Sequence, residues 1–271
     1  MKNSFFRKLL LKLGFGSSRK PSYGWFGNYS SWQAAREMVG GYEQGNILDK
    51  TRQSLLKVKA GEAVYERDSV LFSTKEYPFA LIACLLHVAT AHQNTLHVTD
   101  FGGSLGSTWY QVRDFMNRIK ELSWHVVEQD NYVKAGKTDF EDATLKFHYT
   151  IEESVAVRKP QVILLSSVIQ YLEAPHAFLD QIAKLAPAYI LFDRTSIIDA
   201  GDDRLTVQRV NPEIYDGSYP SWFFNEKRLL AHFSDYDCIT AFSSFVPSEV
   251  ILHIDGKPLA KDKGFFLKRK S

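Results

Sequence analysis

Between His97 and Ser107 the chain reads His-Val-Thr-Asp-Phe-Gly-Gly-Ser-Leu-Gly-Ser, and this run constrains the fold more than any other. Residues 96–101 read as a short buried strand, residues 102–106 as a tight glycine-rich loop, and a helix with apolar residues on one side begins at 108. A strand that delivers the chain to a glycine turn lets a ligand approach the backbone closely. The helix that follows points its N-terminus, with unpaired N–H groups, at that ligand. Such a turn belongs to sheets whose parallel strands alternate with helices.

The rest of the chain repeats that alternation. Spacing predicts helices at 47–59, 77–92, 108–122, 177–185 and 227–233, and strands at 96–101, 124–128, 145–149, 161–166 and 188–192. It also predicts strands at 236–242, 249–254 and 265–268, with a turn at Asp255-Gly256. Short apolar strands alternating with helices argue for an α/β chain with a doubly wound, Rossmann-like parallel sheet, closed by an antiparallel C-terminal edge. Forty-five per cent of the 271 residues are hydrophobic and 14% aromatic, enough for a sizeable core and unlike a disordered or coiled-coil chain. Cys84 and Cys238 stand apart from any Cys or His at metal spacing, so neither a disulfide framework nor a metal site is expected.

The register of the glycine turn identifies its ligand class. GxGxxG ending at Gly106 would need glycine at 101, where Phe101 stands, so a nicotinamide cofactor is disfavoured. Asp100-x-Gly102-x-Ser104-x-Gly106, with Gly103 inside it, instead resembles motif I of the class I methyltransferases that use S-adenosylmethionine, with Ser104 departing from the usual middle glycine. The resemblance implies that Asp100 and the turn backbone hold the methionine end of that cofactor. It also implies that Glu128, followed by Gln129, receives the ribose hydroxyls at the end of the next strand. The adenine is expected near Thr150, Ile151 and Glu152, and Ser166 and Ser167 are expected beneath the sulfonium.

The likeness extends beyond the cofactor motifs. Tyr65-Glu66-Arg67-Asp68-Ser69, the glycine turn, Val127-Glu128-Gln129, Ser166 to Tyr171, Asp193-Arg194-Thr195 and Ser218-Tyr219-Pro220 resemble, in order, a largely uncharacterised bacterial family of predicted methyltransferases found near surface-polysaccharide genes. The resemblance covers residues 25–242 and implies O-methylation of a sugar, glycolipid or polysaccharide precursor. An inactive binding or scaffold protein on the same fold is the alternative reading.

A hydroxyl acceptor needs a base. Asp193 ends the fifth strand of the alternating region and is the first candidate, with His148 the second. Tyr65, Arg67, Tyr171, Arg194, Tyr215 and Tyr219 are the expected acceptor contacts, since aromatic faces suit both a sugar ring and a cationic sulfonium.

Charge separates the chain into unequal parts. Lys and Arg number 33 against 31 Asp and Glu, a net +2, but residues 1–20 hold six of the basic residues and no acid, leaving −4 on the remainder. A body of that sign does not suit a nucleic-acid partner. Phe5, Phe6, Leu9, Leu10 and Leu13 beside Arg7, Lys8 and Lys12 predict a basic amphipathic helix, which either docks on the protein or lies on an anionic membrane surface. The expected divisions are therefore 1–20 (helix and linker), 21–93 (helical and lid region) and 94–271 (the methyltransferase domain). The expected setting is cytoplasmic, with contact to the inner face of the membrane through residues 1–20.

Overall fold

The computed structural model describes residues 22–39, 44–67, 69–212 and 217–270. The basic N-terminal helix, Asp68 and Tyr215 therefore lie outside the described residues. The N-terminal part supplies β1 (Gly24–Phe26), α1 (Trp32–Arg36), α2 (Gln44–Lys59), the hairpin β2 (Tyr65–Arg67) and β3 (Val70–Phe72), and α3 (Phe79–Ala91). Next come β4 (Thr95–Phe101), α4 (Ser107–Met116), β5 (Glu121–Val127), α5 (Asp130–Asp139), β6 (Leu145–His148), α6 (Ile151–Val157), β7 (Val162–Ser166), α7 (Pro175–Leu185) and β8 (Tyr189–Ile198). The remainder forms β9 (Arg204–Arg209), β10 (Ser218–Asn225), α8 (Glu226–Ala231), β11 (Tyr236–Ser243), β12 (Leu252–Ile254) and β13 (Lys257–Arg269).

Five strands run parallel in the order β6-β5-β4-β7-β8. From β4 the chain first builds outward through β5 and β6, then returns to place β7 on the other side of β4. The C-terminal ends of β4 and β7 are thus the point where the winding reverses, the place where open α/β sheets leave a crevice. Strand alternation divides the core. Val98, Trp124, Leu164 and Leu191 pack toward α2, α3 and α4, while Ile163, Leu165, Ile190 and Phe192 pack toward α7 and α8. Burial on both faces is why these strands read as continuous apolar runs.

The predicted antiparallel edge is present, since β13 pairs antiparallel with β8 and β11 antiparallel with β13. What the sequence pattern did not show is a second closure. The outer half of β8 pairs with β10, which continues through β9, β1 and β12 to β13 and back to β8, forming a ring of six strands. Strand β13 serves both structures, and its register against β8 shifts between Lys263 and Phe265 where it passes from ring to sheet. Gly264 sits at that shift. A Cβ there would come within 2.1 Å of the Phe242 ring and 2.8 Å of the Phe192 carbonyl, so only glycine fits the bend.

Several expected boundaries move for related reasons. The helix expected at 108–122 stops at Met116, because Leu122 is already paired with Leu96 in the sheet. The strand expected at 188–192 runs to Ile198, and the one expected at 265–268 begins at Lys257. Those extensions line the ring, whose polar interior erases the apolar signal. The 21–93 region is only partly helical: β1 is a strand of the ring, and α3 packs its Leu81, Leu85 and Val88 into the sheet core. Among the described residues, no helix is long and apolar enough to cross a membrane.

Candidate functional site

The glycine turn crosses the reversal point. Gly102 (φ +72°), Ser104 (φ +55°) and Gly106 (φ +92°) all take the left-handed conformation, and Gly102 N–H donates to the Val127 carbonyl at 2.9 Å. A Cβ at Gly102 would lie 2.3 Å from Val168 Cγ2, so the turn after β4 touches the turn after β7 with no room for a side chain. One built on Gly103 would lie 2.5 Å from the Asp100 carboxylate. Ser104 holds a conformation that costs a non-glycine residue about 1 kcal/mol or more, supported by its N–H bonding the Glu128 carboxylate.

Asp100 is 1% exposed beneath this turn. One carboxylate oxygen, Oδ2, accepts from Trp124 Nε1 at 3.0 Å, while Oδ1 is buried with no partner. Burial pushes its pKa up to about 7. A buried carboxylate oxygen left without a donor is costly, so the protonated form is favoured. Glu128 also titrates high because of burial, opposed by the N–H groups of Gln129, at 2.7 Å, and Ser104.

A cavity of about 1040 Å³ opens at this edge, from Gly102, Gly103 and Ser104 across Ser166 and Ser167 to Asp193, and on into the mouth of the strand ring. Its size stands at the upper end of the ~300–1,000 Å³ typical of a small-molecule site. At its floor Ser166 Oγ donates to Asp193 Oδ2 at 2.8 Å, and Ser167 N–H donates to the Asp193 carbonyl at 2.9 Å. Burial raises the Asp193 pKa to about 6, against the pull of Arg194 and Ser166. Arg194 is bidentate to Glu249, with Nε 2.9 Å from Oε2 and Nη2 2.5 Å from Oε1. Ser167 (φ +51°) and Arg194 (φ +49°) repeat the left-handed backbone of Ser104, so the turns after β4 and β7 and one position inside β8 carry this strain beside the cavity.

The β2–β3 hairpin covers one side. Glu66, 2% exposed, accepts from Ser107 Oγ at the first turn of α4 and from the N–H of Ser69, both at 2.7 Å. Tyr65 Oη accepts from Gln111 at 3.0 Å, and Arg67 pairs with Glu76 at 2.9 Å while lying over the Phe72 and Phe245 rings. Opposite, Tyr171 donates to Gln208 at 3.1 Å and meets Tyr219 edge to face at 5.2 Å. Tyr65, Arg67, Tyr171, Arg194 and Tyr219 thus all line one cavity with Asp193 and the glycine turn.

Other expected residues lie elsewhere. His148 does not line the cavity; it stacks at 4.7 Å on His125, with its Nε2 buried and unpaired and its pKa lowered by burial. That placement removes it as a base for a ligand in the cavity. Ile151 is buried in the core between sheet and α7, and Thr150 caps α6 by accepting from the N–H of Glu153 at 3.1 Å. Glu152 accepts from Gln181, and Gln129 is exposed. Sequence reasoning missed Tyr132, Gln208, Glu249 and Asp262, which line the cavity from α5, β9, a 3-10 turn and β13. No local pattern marks them, because they meet only through long-range strand pairing.

Solved structures similar to this chain include the N-terminal domain of EvdMO1 in the presence of SAH and D-fucose, with TM-score 0.49 and 12% identity over 84% of this chain and 98% of that one. Burkholderia thailandensis 1,6-didemethyltoxoflavin-N1-methyltransferase, with bound 1,6-didemethyltoxoflavin and S-adenosylhomocysteine, has TM-score 0.43 and 11% identity over 86% and 92%. Magnesium protoporphyrin IX methyltransferase (ChlM) from Synechocystis PCC 6803 with bound SAH has TM-score 0.45 and 11% identity over 84% and 100%. No protein-family model matches the chain, and no curated protein matches its sequence.

Proposed function

We propose that this protein is an S-adenosylmethionine-dependent methyltransferase on a Rossmann-like sheet, acting on a hydroxyl of a sugar or of a glycolipid or polysaccharide precursor. The observation that carries the reading is the unpaired Oδ1 of Asp100 under the Gly102-Gly103 turn at the winding reversal. A carboxylate short of a donor suits a ligand with an ammonium group, and the backbone of Gly102 and Gly103 lets it come close. S-adenosylmethionine supplies a methyl group already activated on a cationic sulfonium.

The chain's own residues have three tasks. Ser166, Ser167 and the Asp193 carboxylate form the floor on which an acceptor hydroxyl is aligned, and the Tyr65–Arg67 hairpin with Tyr171 and Tyr219 excludes water. Asp193 takes the hydroxyl proton. Its pKa of about 6 leaves it mostly ionised at neutral pH yet more basic than an ordinary carboxylate. Glu128 has acceptor capacity left for ribose hydroxyls after bonding two N–H groups of the chain. In this reading residues 1–20 bring the protein to an anionic membrane surface, where lipid-linked precursors are made.

Calorimetric titration with S-adenosylmethionine, S-adenosylhomocysteine and NAD tests the cofactor. The first two are expected to bind, with affinity reduced in Glu128→Ala, and NAD is not. Absence of binding by both adenosyl compounds would sink the reading.

A further inference from the structure

Along β8 the alternation of faces breaks once. Phe192 and Ile197 are an odd number of residues apart, which in a regular strand sets side chains on opposite faces, yet both belong to the core toward α7 and α8. The ladder with β13 shows the reason. Phe192 stands opposite Phe265 and Thr195 opposite Lys263, so Asp193 and Arg194 together face Gly264 alone. Two residues against one make a β-bulge, and the extra residue re-aims the side chains beside it. Neighbours in a strand normally point to opposite faces, but Asp193 and Arg194 both line the cavity.

Arg194 carries the strain of the bulge, with φ +49°, and contacts converge on it from three sides. Buried Gln170 donates from Nε2 to the Arg194 carbonyl at 3.1 Å, and the Ser167 N–H holds the Asp193 carbonyl at 2.9 Å. The guanidinium reaches Glu249 in the 3-10 turn at Pro247–Glu249, in a bidentate pair whose side chains are 12% and 15% exposed. Glu249 is itself fixed, since its Oε2 accepts from Ser244 Oγ at 2.6 Å and the Ser244 N–H donates to the Asp262 carbonyl of β13 at 3.1 Å. A buried fork of this kind resists rotation. The other charged groups of the cavity have contacts of their own: Arg67 with Glu76, Asp262 with Ser196, Glu66 with Ser107, and Arg209 over the Phe26 ring.

Resting on the reading of Asp193 as the base, we propose that Glu249 is a positioning residue: by gripping Arg194 it holds the bulge that turns the Asp193 carboxylate onto the cavity floor. Without that grip the left-handed residue relaxes toward ordinary strand geometry, and Asp193 and Arg194 return to opposite faces. The grip acts on the backbone at 194, so a residue that adopts φ +49° without strain makes it dispensable. Glycine is that residue.

Amide hydrogen exchange of the full chain reads the bulge at the Ser167 N–H, with the Val98 N–H of β4 as reference. Glu249→Gln keeps the shape of the side chain and removes the charged pair. Ser167 is then expected to exchange at least ~10-fold faster, with Val98 changed by less than about threefold. Adding Arg194→Gly to Glu249→Gln is expected to return Ser167 to within about threefold of the unaltered chain. The ¹³C resonance of the Asp193 carboxyl should follow, titrating lower than about 6 in Glu249→Gln, where Arg194 loses this counter-charge, and near about 6 again in the double variant. Unchanged Ser167 exchange in Glu249→Gln, a rise shared equally by Val98, or a rise that Arg194→Gly does not reverse would overturn the proposal. Should Glu249→Gln fail to fold, Arg194→Gly alone decides: it removes grip and strain together, so a ~10-fold rise at Ser167 would overturn the proposal and a change below about threefold would support it. Failure of the methyltransferase reading shows separately, as absence of S-adenosylhomocysteine binding by the unaltered chain.

Discussion

Along β7 and the first half of β8, Val162 to Leu165 and Ile190 to Phe192 are fully buried apolar residues with helices over both faces. Across the cavity, the strand ring holds Ser196, Thr206, Gln208, Ser221 and Asp262 inside and Leu205 and Val207 outside, against α1. The first region is assembled from neighbours in sequence, the second from strands that begin at Gly24 and end at Arg269. A dry, locally wound sheet gives rigid strand ends on which a backbone turn is held for one ligand class. The ring gives a polar interior that opens onto the same cavity. If the two regions divide the work in this way, damage to one should spare the other.

The sharpest break is Gly102→Val. The position has φ +72°, and an added Cβ would overlap Val168 at 2.3 Å, so the turn must move away from β7. Calorimetry should register no S-adenosylmethionine binding, a loss of at least ~100-fold, worth ~3 kcal/mol. Binding within tenfold of the unaltered chain would detach the turn from the cofactor.

Asp193→Asn comes next, because Asp193 stands where the regions meet. It keeps the 2.8 Å contact with Ser166 but removes the proton acceptor. Methyl transfer to a hydroxyl acceptor is expected to fall roughly 10²–10⁴-fold in kcat, with S-adenosylhomocysteine affinity changed by less than about threefold. An equal fall in both would make Asp193 a brace for the turn.

The difference between the regions also decides how much could be read beforehand. Asp100, Gly102, Ser104, Gly106, Glu128 and Ser166 follow one local rule, strand end then loop, so their places in the fold were legible, whereas Asp193, read as a strand end, lies inside a β8 that continues to Ile198. His148 obeyed it too, yet β6 is an edge strand whose end lies beside His125, away from the reversal point. Asp262 was not legible, because Lys-Asp-Lys-Gly at 261–264 reads as a charged turn until β8 is laid beside it. Nor was β1, three residues whose pairing partners lie more than 170 positions away. Ring strands with polar interiors lose the alternation of apolar residues on which strand prediction rests.

A third test uses pH. Asp100 has a folded pKa raised to about 7, above its ordinary value near 4, so the folded state holds a proton that the unfolded state has released. Its favourable contribution is complete below pH ~4 and is lost as pH rises to ~7. His125 works in the opposite direction, its pKa lowered by burial to about 4, so the stability curve of the protein alone mixes the two. Asp100→Asn isolates the acid, since asparagine still accepts from Trp124. Relative to the unaltered chain it should gain stability by about 3 kcal/mol between pH 4 and pH 7 in urea denaturation, while losing cofactor affinity. A difference independent of pH would mean that Asp100 is already ionised and compensated.

The smallest effect belongs to the wall of the ring. Tyr171 donates to Gln208 at 3.1 Å and meets Tyr219 edge to face, linking the turn after β7 to the ring's mouth. Tyr171→Phe removes the hydroxyl and keeps the ring contact, so stability should fall by only about 0.5–1.5 kcal/mol. Gln208 then regains a free acceptor at the cavity mouth, where an acceptor hydroxyl replaces the lost donor. The prediction is an unchanged affinity for S-adenosylhomocysteine beside a two- to fivefold change in acceptor KM, about 0.4–1 kcal/mol. A change in cofactor affinity of the same size would mean that the two regions share one wall, and that the sheet's rigid strand ends depend on the ring to stay in place.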